Sequence, residues 1–498
     1  MKNIIKNSIY ILLILSLFNC SDEYFDINTP SGAAGEEQLK MADLIGPATK
    51  NTFLAQYYAS RSLSNYSQYI TGIGGGATGM TSLSGTWSTI YLGSLPDLNV
   101  IIAKSEEKNA IHFGAVAKIL KVVNLGILTD NYDNIPYSEA AQFGSNLQPA
   151  FDSQMDIYAT IDILLNEAIS ALSSTDTSGQ TILNDMIYGG DTDKWLRLAY
   201  TLKARYKMHL IERNGVSMAS DALASLVNGF SGNGDDFKMS YTGGDLNPWF
   251  VREISARATG NNHDKVGDQL VSYMDGTSYP FATVSEDPRL DALFVRLSSV
   301  APDVLSPVTD PWRGFVSGGD GLSSDGMDGN VNFKNGGFYS NSGTPIEIIT
   351  NAEALFLKAE AAFLANGGTS TSVGSNAVAY TAYLDGITAS MSKIGVDGSA
   401  YLADASIAVG EAGLMLHHIM KEKYIANFLN SETFVDLRRY NFSTDVFKDL
   451  ALPADNADGE YPGQWLIRTS YPSSESIRNP NNVNANKKEP TEPVWWDM

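Results

Sequence analysis

Cysteine is all but missing from this sequence: 498 residues contain one, Cys20. A single thiol cannot form an intramolecular disulfide. Basic residues are also scarce, with 34 Lys and Arg against 56 Asp and Glu and a net charge of -22. Phosphate backbones are bound through clustered Lys and Arg, so this field excludes nucleic acid as a partner. Beyond the N-terminus no long uncharged apolar run of the kind that crosses a bilayer is expected. No GxSxG elbow, Walker lysine or HExxH is present either, so the usual local signatures of hydrolase, nucleotide and zinc chemistry are lacking. The literal GxGxxG of Gly74-Gly75-Gly76-Ala77-Thr78-Gly79 follows no buried strand and opens no helix, and reads as a loop. What is there, 43% hydrophobic and 10% aromatic, is the composition of a globular protein.

The position of the cysteine carries more than its number. Lys2 and Lys6 precede an apolar run over residues 9–18, too short to span a bilayer, and Ser21-Asp22-Glu23 follows Cys20 at once. This resembles a bacterial lipoprotein signal, in which the cysteine is lipidated and becomes the first mature residue. Phe18 and Asn19 depart from the small residues usual before that cysteine. The expectation is a signal peptide over residues 1–19, a lipid on Cys20, a polar tether over 20–35 and one domain over 36–498. Lipidation would make the protein anchored rather than soluble.

Helical periodicity dominates the domain. The strongest case lies at residues 350–368. Thr350 and Glu353 have the spacing of a capping box, and Ala352, Leu355, Phe356, Ala359 and Phe363 recur on one face. Ala354, Leu357, Ala361 and Leu364 cover a second face, which predicts a helix packed between neighbours. Asn366-Gly367-Gly368 offers left-handed conformers to end it. Similar stripes begin at Trp87, with Pro96 expected to kink the helix, and at Phe113, Met155, Trp195, Ala377 and Leu416. Without a βα alternation, the class is mainly α, built from helical hairpins in a solenoid-like stack. Residues 228–344 are different: Gly, Asn, Asp and Ser are frequent there, and so long an irregular stretch usually carries function.

Candidate sites follow from side-chain type. Trp195 and Trp87 sit on helical stripes and are expected in the core. Trp249 and Trp312 lie among turn signals, where an aromatic face can meet a sugar or peptide; Tyr69 and Tyr339 are candidates of the same kind. Asp320, Asp325 and Asp328 could supply oxygen ligands to calcium, but lack the EF-hand spacing and read as a solvated loop. His417-His418 with Glu422 could suggest a metal, yet adjacent histidines point to different sides of a helix. No metal, cofactor or catalytic residue is assigned, and the reading is of a protein that is not an enzyme.

Several blocks in order look like the SusD/RagB family of nutrient-binding outer-membrane lipoproteins. They are CSDEYFDINTP from Cys20, WSTIYLGSLPDLN from Trp87 and LTDNYDNIPYSEA from Leu128. DKWLRLAYTLKARYKMHL from Asp193, DPRL from Asp287 and AEALFLKAEAAF from Ala352 continue the series. YLDGITASM from Tyr383, FLNSETFVDLRRYNF from Phe428 and YPSSESIRNPNNV from Tyr471 complete it. Asp133-Asn134 departs from the Gly-Asp common before Ile-Pro-Tyr. The resemblance implies a SusD-like fold of tetratricopeptide-like hairpins, with long irregular loops forming the ligand-binding face. It also implies a surface-exposed, lipid-anchored outer-membrane protein that passes a glycan, oligosaccharide or peptide to a SusC-like TonB-dependent β-barrel transporter. The competing function is a surface glycan-degrading hydrolase on the same scaffold.

Overall fold

The computed structural model describes residues 39–71, 81–141, 146–259, 264–298, 304–319, 328–454 and 460–498. Cys20, the signal and tether segments, the glycine run at 74–79, Asp320 and Asp325 lie outside them. Ten helices carry the scaffold: α1 (Met41–Tyr66), α2 (Leu95–Glu107), α3 (Ile111–Tyr132), α4 (Gln154–Leu172) and α5 (Thr192–His209). They continue with α6 (Ser217–Leu226), α7 (Asn351–Ala365), α8 (Ala377–Ile394), α9 (Leu416–Ala426) and α10 (Glu432–Arg439). Consecutive helices pair in space: α2 with α3, α3 with α4, α4 with α5, α5 with α6, and α7 with α8. Helix α6 also packs on α7, which joins the two halves into one stack, while α1 crosses α2 and α3. The fold is mainly α, with the expected helical hairpins.

Local chemistry explains the helix starts. The side chains of Ser153, Asp191, Thr350 and Asn376 each accept a first-turn backbone N–H of α4, α5, α7 and α8. Only half of the expected capping box forms on α7. Thr350 Oγ1 accepts from the Glu353 N–H, but the Glu353 carboxylate turns inward to a two-pronged pair with Arg205 on α5. At the other end of α7 only Gly367 (φ 84°) is left-handed, and Asn366 stays at φ -83°. Helix α7 is buried on both faces, as its alanines require: Ala352, Phe356, Ala359 and Phe363 on one side, Ala354, Leu357, Ala361 and Leu364 on the other.

Two expectations are revised. Pro96 does not simply kink a helix: a π-helical segment, Ile90–Ser94, lies between the turn Ser84–Thr89 and α2, and Pro96 sits in the first turn of α2, where its missing N–H has no cost. Helix α3 is, by length and composition, able to cross a membrane, with a mean hydropathy of 1.6 in its richest window. That window is 72% buried inside the molecule, so α3 is the core helix of the stack.

Eight short strands pair antiparallel in four twos: β1 (Ile70–Thr71) with β5 (Lys265–Val266), β2 (Ile135–Pro136) with β3 (Phe151–Asp152), β4 (Phe237–Met239) with β8 (Ile346–Ile349), and β6 (Phe294–Leu297) with β7 (Asn330–Phe333). Each clamps a loop to the helices. The C-terminal residues form an ordered wrap. Trp496 is fully buried and its Nε1 donates to Asp130 Oδ1 of α3 at 3.0 Å, while Arg468 reaches Asp133 at 3.1 Å.

Most charged side chains inside the stack are paired; Arg438 instead donates to the Asp130 and Ile467 carbonyls. Arg289 lies between Asp287 and Glu422 at 2.5 and 2.6 Å. Lys423 and Arg439 share Glu360 and Asp436, and His209 donates to Glu432 at 2.6 Å. Such pairs add little net stability over apolar packing, but breaking one leaves a buried charge unmatched.

Candidate ligand-binding site

The irregular segment is organised about a small patch of paired backbone. Strands β1 and β5 join, Gly267 bridges Phe315, Arg313 bridges Asn330 and Leu297 bridges Leu305. Trp312 sits in this patch. Its Nε1 donates to Glu286 Oε2 at 2.7 Å, and the Arg296 guanidinium lies 3.5 Å from the ring centroid. Arg296 in turn meets Glu286 at 3.4 Å and Asp291 at 3.7 Å. Val304, Leu305 and Val308 are exposed beside it (57%, 66% and 84%). A guanidinium stacked on an indole and framed by two carboxylates is a rigid, planar set of donors and acceptors, suited to hydroxyl or amide groups.

A second cluster borders the patch. Arg252 grips Asp264 with both arms of its fork, at 2.9 and 3.0 Å. Its neighbour Glu253 is fully buried on a π-helical segment, Phe250–Ser255. Glu253 Oε2 accepts the Asp264 N–H at 3.0 Å, and Oε1 accepts no hydrogen bond, with Arg252 Nε 3.8 Å away. Burial and the nearby Asp264 carboxylate push Glu253 well above the usual carboxylate range, Arg252 acting against them. Single π turns are frequent at functional sites.

The four aromatics named from the sequence are all packed inside. Trp249 is 3% exposed and stands edge-on to Tyr57 at 5.1 Å. Tyr69 is fully buried, hydrogen-bonded to the Tyr424 carbonyl and Thr433, and edge-on to Phe428 at 5.3 Å. Tyr339 meets the same Phe428 at 5.3 Å, and Lys393 donates to its hydroxyl. Trp249 and Tyr339 line one crevice with Phe428, but its volume is about 10 Å³, room for a single water. Rings so covered offer no free face to a ligand. Turn residues around Trp249 and Trp312 hid this, because the partners that bury them come from distant segments. Trp312 reaches the surface through Arg296, 11% exposed, and its partner Asp291, 70% exposed. Arg296, Glu286 and Glu253 carry no sequence signature: Arg296 and Glu286 are 10 residues apart and Glu253 and Asp264 11, spacings that match no helical or strand period. Trp195 and Trp87 are buried, as their stripes predict.

The histidine pair is explained by packing. His418 Nδ1 accepts the Met415 N–H at 3.0 Å, capping α9, and His417 leans on Tyr279. Burial holds His417 down to about 4 and His418 to about 3, so both are neutral. Among the described residues no group of three His, Cys, Asp or Glu could hold a metal ion.

A SusD-like family model, described as starch-binding and associating with the outer membrane, matches residues 34–472. The chain belongs to the SusD-like family. Solved structures agree in fold across nearly all of it. A SusD/RagB family protein from Bacteroides thetaiotaomicron VPI-5482 is 21% identical, with a TM-score of 0.70 over 92% of this chain and 99% of that one. A chitin-binding SusD homolog from Flavobacterium johnsoniae is 22% identical, with a TM-score of 0.69 over 92% and 98%. A further chitin-binding protein is 24% identical, with a TM-score of 0.71 over 92% and 100%. No curated protein matches the chain. As a SusD-like protein it is an outer-membrane-associated nutrient-binding protein rather than an enzyme.

Proposed function

We propose that this SusD-like protein is a cell-surface lipoprotein, anchored through Cys20, that captures an oligosaccharide and delivers it to a SusC-like TonB-dependent transporter. The observation that carries this reading is the family match over residues 34–472, described as starch-binding. Two solved relatives named as chitin-binding favour a glycan over a peptide. The loop face bearing Arg296, Trp312, Glu286 and Asp291 is the ligand surface. There the guanidinium and carboxylates would orient sugar hydroxyls, and Val304, Leu305 and Val308 would cover the apolar faces of the rings. Trp312 acts by holding Arg296 in place.

The test is calorimetry with the soluble Cys20→Ala chain against chitin and starch oligosaccharides and a peptide mixture. Saturable glycan binding, weakened about tenfold or more by Arg296→Ala, is expected. Binding of peptides alone, or glycan affinity indifferent to Arg296, would overturn the assignment. Co-purification of the native chain with a large β-barrel protein tests the delivery partner.

A further inference from the structure

The C-terminal wrap borders a cavity of about 340 Å³, set between Tyr132 at the end of α3, residues 468–471 and residues 483–492. Its volume is at the lower end of small-ligand pockets. Arg468, 3% exposed, is the most deeply buried charge in the lining. Its Nε and Nη2 donate to the Glu492 and Pro493 carbonyls and to Asp133, at 2.7–3.1 Å. That leaves Nη1 without a partner among the described residues. Asp133 holds this arrangement in place. It ends α3 at φ 73° and ψ -108°, a conformation that a non-glycine residue keeps only where its surroundings over-determine it. Its carboxylate accepts from Arg468 and from the Trp495 N–H at 2.9 Å, and lies 3.5 Å from Lys488. Backbone strain of this kind gathers at ligand sites.

The lining favours an uncharged ligand rich in hydroxyl groups. Arg468, Lys487 and Lys488 are matched by Asp133, Glu489 and Glu492, so no net charge selects an ion. The hydroxyls of Ser470, Tyr471 and Ser476 donate to the carbonyls of Thr81, Asn134 and Pro472, at 2.7–3.2 Å, which leaves their oxygens as acceptors. Arg468 Nη1 and Lys487 Nζ are the matching donors. Fixed acceptors beside free donors suit sugar hydroxyls, each of which both donates and accepts. Val483 and the ring of Tyr471, stacked on Tyr132 at 5.8 Å, supply the apolar side that a sugar ring needs.

We infer that this cavity is a second saccharide site, taking an uncharged stretch of glycan beside the loop face. The Ser470 N–H donates to the Thr81 carbonyl at 2.9 Å, and the Thr81 backbone hydrogen-bonds Tyr66. Tyr66 is the last residue of α1, four before β1 of the loop patch. Both sites therefore stand at the same end of α1. That the sugar belongs to an oligosaccharide also held by the loop face rests on the proposed function.

The experiment reads Lys487 on the soluble Cys20→Ala chain. Acetylation of Lys487, followed by mass spectrometry, should slow about fivefold or more under saturating chitin hexasaccharide or maltohexaose. The exposed Lys108, outside the cavity, should react as before. The slowing should persist in Arg296→Ala at saturating sugar, and Ser476→Trp, which fills the cavity, should abolish it at an unchanged thermal midpoint. Lys487→Ala changes only an exposed side chain and should weaken hexasaccharide binding about threefold or more by calorimetry. A Lys487 rate indifferent to both sugars, or slowed only by a peptide mixture, overturns the inference. The two sites fail separately. Arg296-dependent binding with Lys487 unprotected would remove the second site alone, and Lys487 protection with no dependence on Arg296 would remove the loop-face assignment alone.

Discussion

Two buried residues make pH an informative variable. His209 lies between Glu432 and Asp130, with Tyr158 also at its Nδ1. Burial alone would depress its pKa, but Glu432 and Asp130 outweigh burial and raise it from 6.5 to about 9. A histidine raised on folding contributes stability that is complete below its unfolded value and is lost as pH climbs through the folded one. The unfolding free energy read from urea titrations should therefore fall between pH 6.5 and 9, by an amount on the order of 3 kcal/mol. Most of that slope should vanish in His209→Asn; an unchanged slope would assign the effect elsewhere. Glu253 works in the same direction for the opposite reason. Its folded pKa is raised by burial and by Asp264, so ionising it as pH rises costs stability. Glu253→Gln keeps the shape of the neutral acid, and its urea midpoint should exceed the wild type increasingly above neutral pH. A variant weaker than wild type at high pH would mean that the charged form is the one the fold prefers.

At the scale of elements, the α7–α8 hairpin depends on one missing side chain. Gly386 lies in the middle of α8, where a glycine costs about 1 kcal/mol against alanine. A Cβ there would stand 2.8–2.9 Å from the Phe356 ring of α7. Gly386→Ala should thus destabilise the protein by about 1–3 kcal/mol despite its better helix propensity, and Phe356→Leu in the same chain should recover part of the loss. Stabilisation by the single alanine in a denaturant titration would refute the close approach. The same hairpin shows how much was legible. Helix α7 could be read residue by residue, since its periodicity, cap and alanines are local signals. So could Trp195 and Trp87, which lie on helical stripes. The family blocks carried more than periodicity: Arg289 of DPRL, and Glu432, Asp436 and Arg439 of FLNSETFVDLRRYNF, are members of the buried ion pairs. Those blocks describe the interior of the scaffold and say little about its ligand. The burial of the loop aromatics is not legible locally, because Trp249 packs on Tyr57, and Tyr69 and Tyr339 on Phe428, all distant in sequence. Arg296 and Glu286 lie only 10 residues apart, but that spacing follows no helical or strand period.

For the whole molecule, the C-terminal wrap decides whether the two halves of the stack behave as one body. Trp496 is fully buried against α3 and α5, donating to Asp130 and packing 6.0 Å from the His209 ring. The Trp496 N–H donates to Gln154 at the start of α4, and Arg438 of α10 lies 4.9 Å over its indole. One residue near the chain end therefore touches elements from both halves, and α6 against α7 makes the second joint. We propose that residues 36–498 form a single domain on this ground. Trp496→Ala removes a large buried ring and should cost about 3–5 kcal/mol, lowering the thermal midpoint while leaving one cooperative transition. The alternative gives a distinct signal. If the wrap merely decorates two independent halves, the variant would unfold in two separated calorimetric steps, one near the wild-type midpoint, because α7 to α9 would survive the loss. A single shifted transition requires that the damage at α3 and α5 be transmitted through α6 and the His209–Glu432 pair to α10.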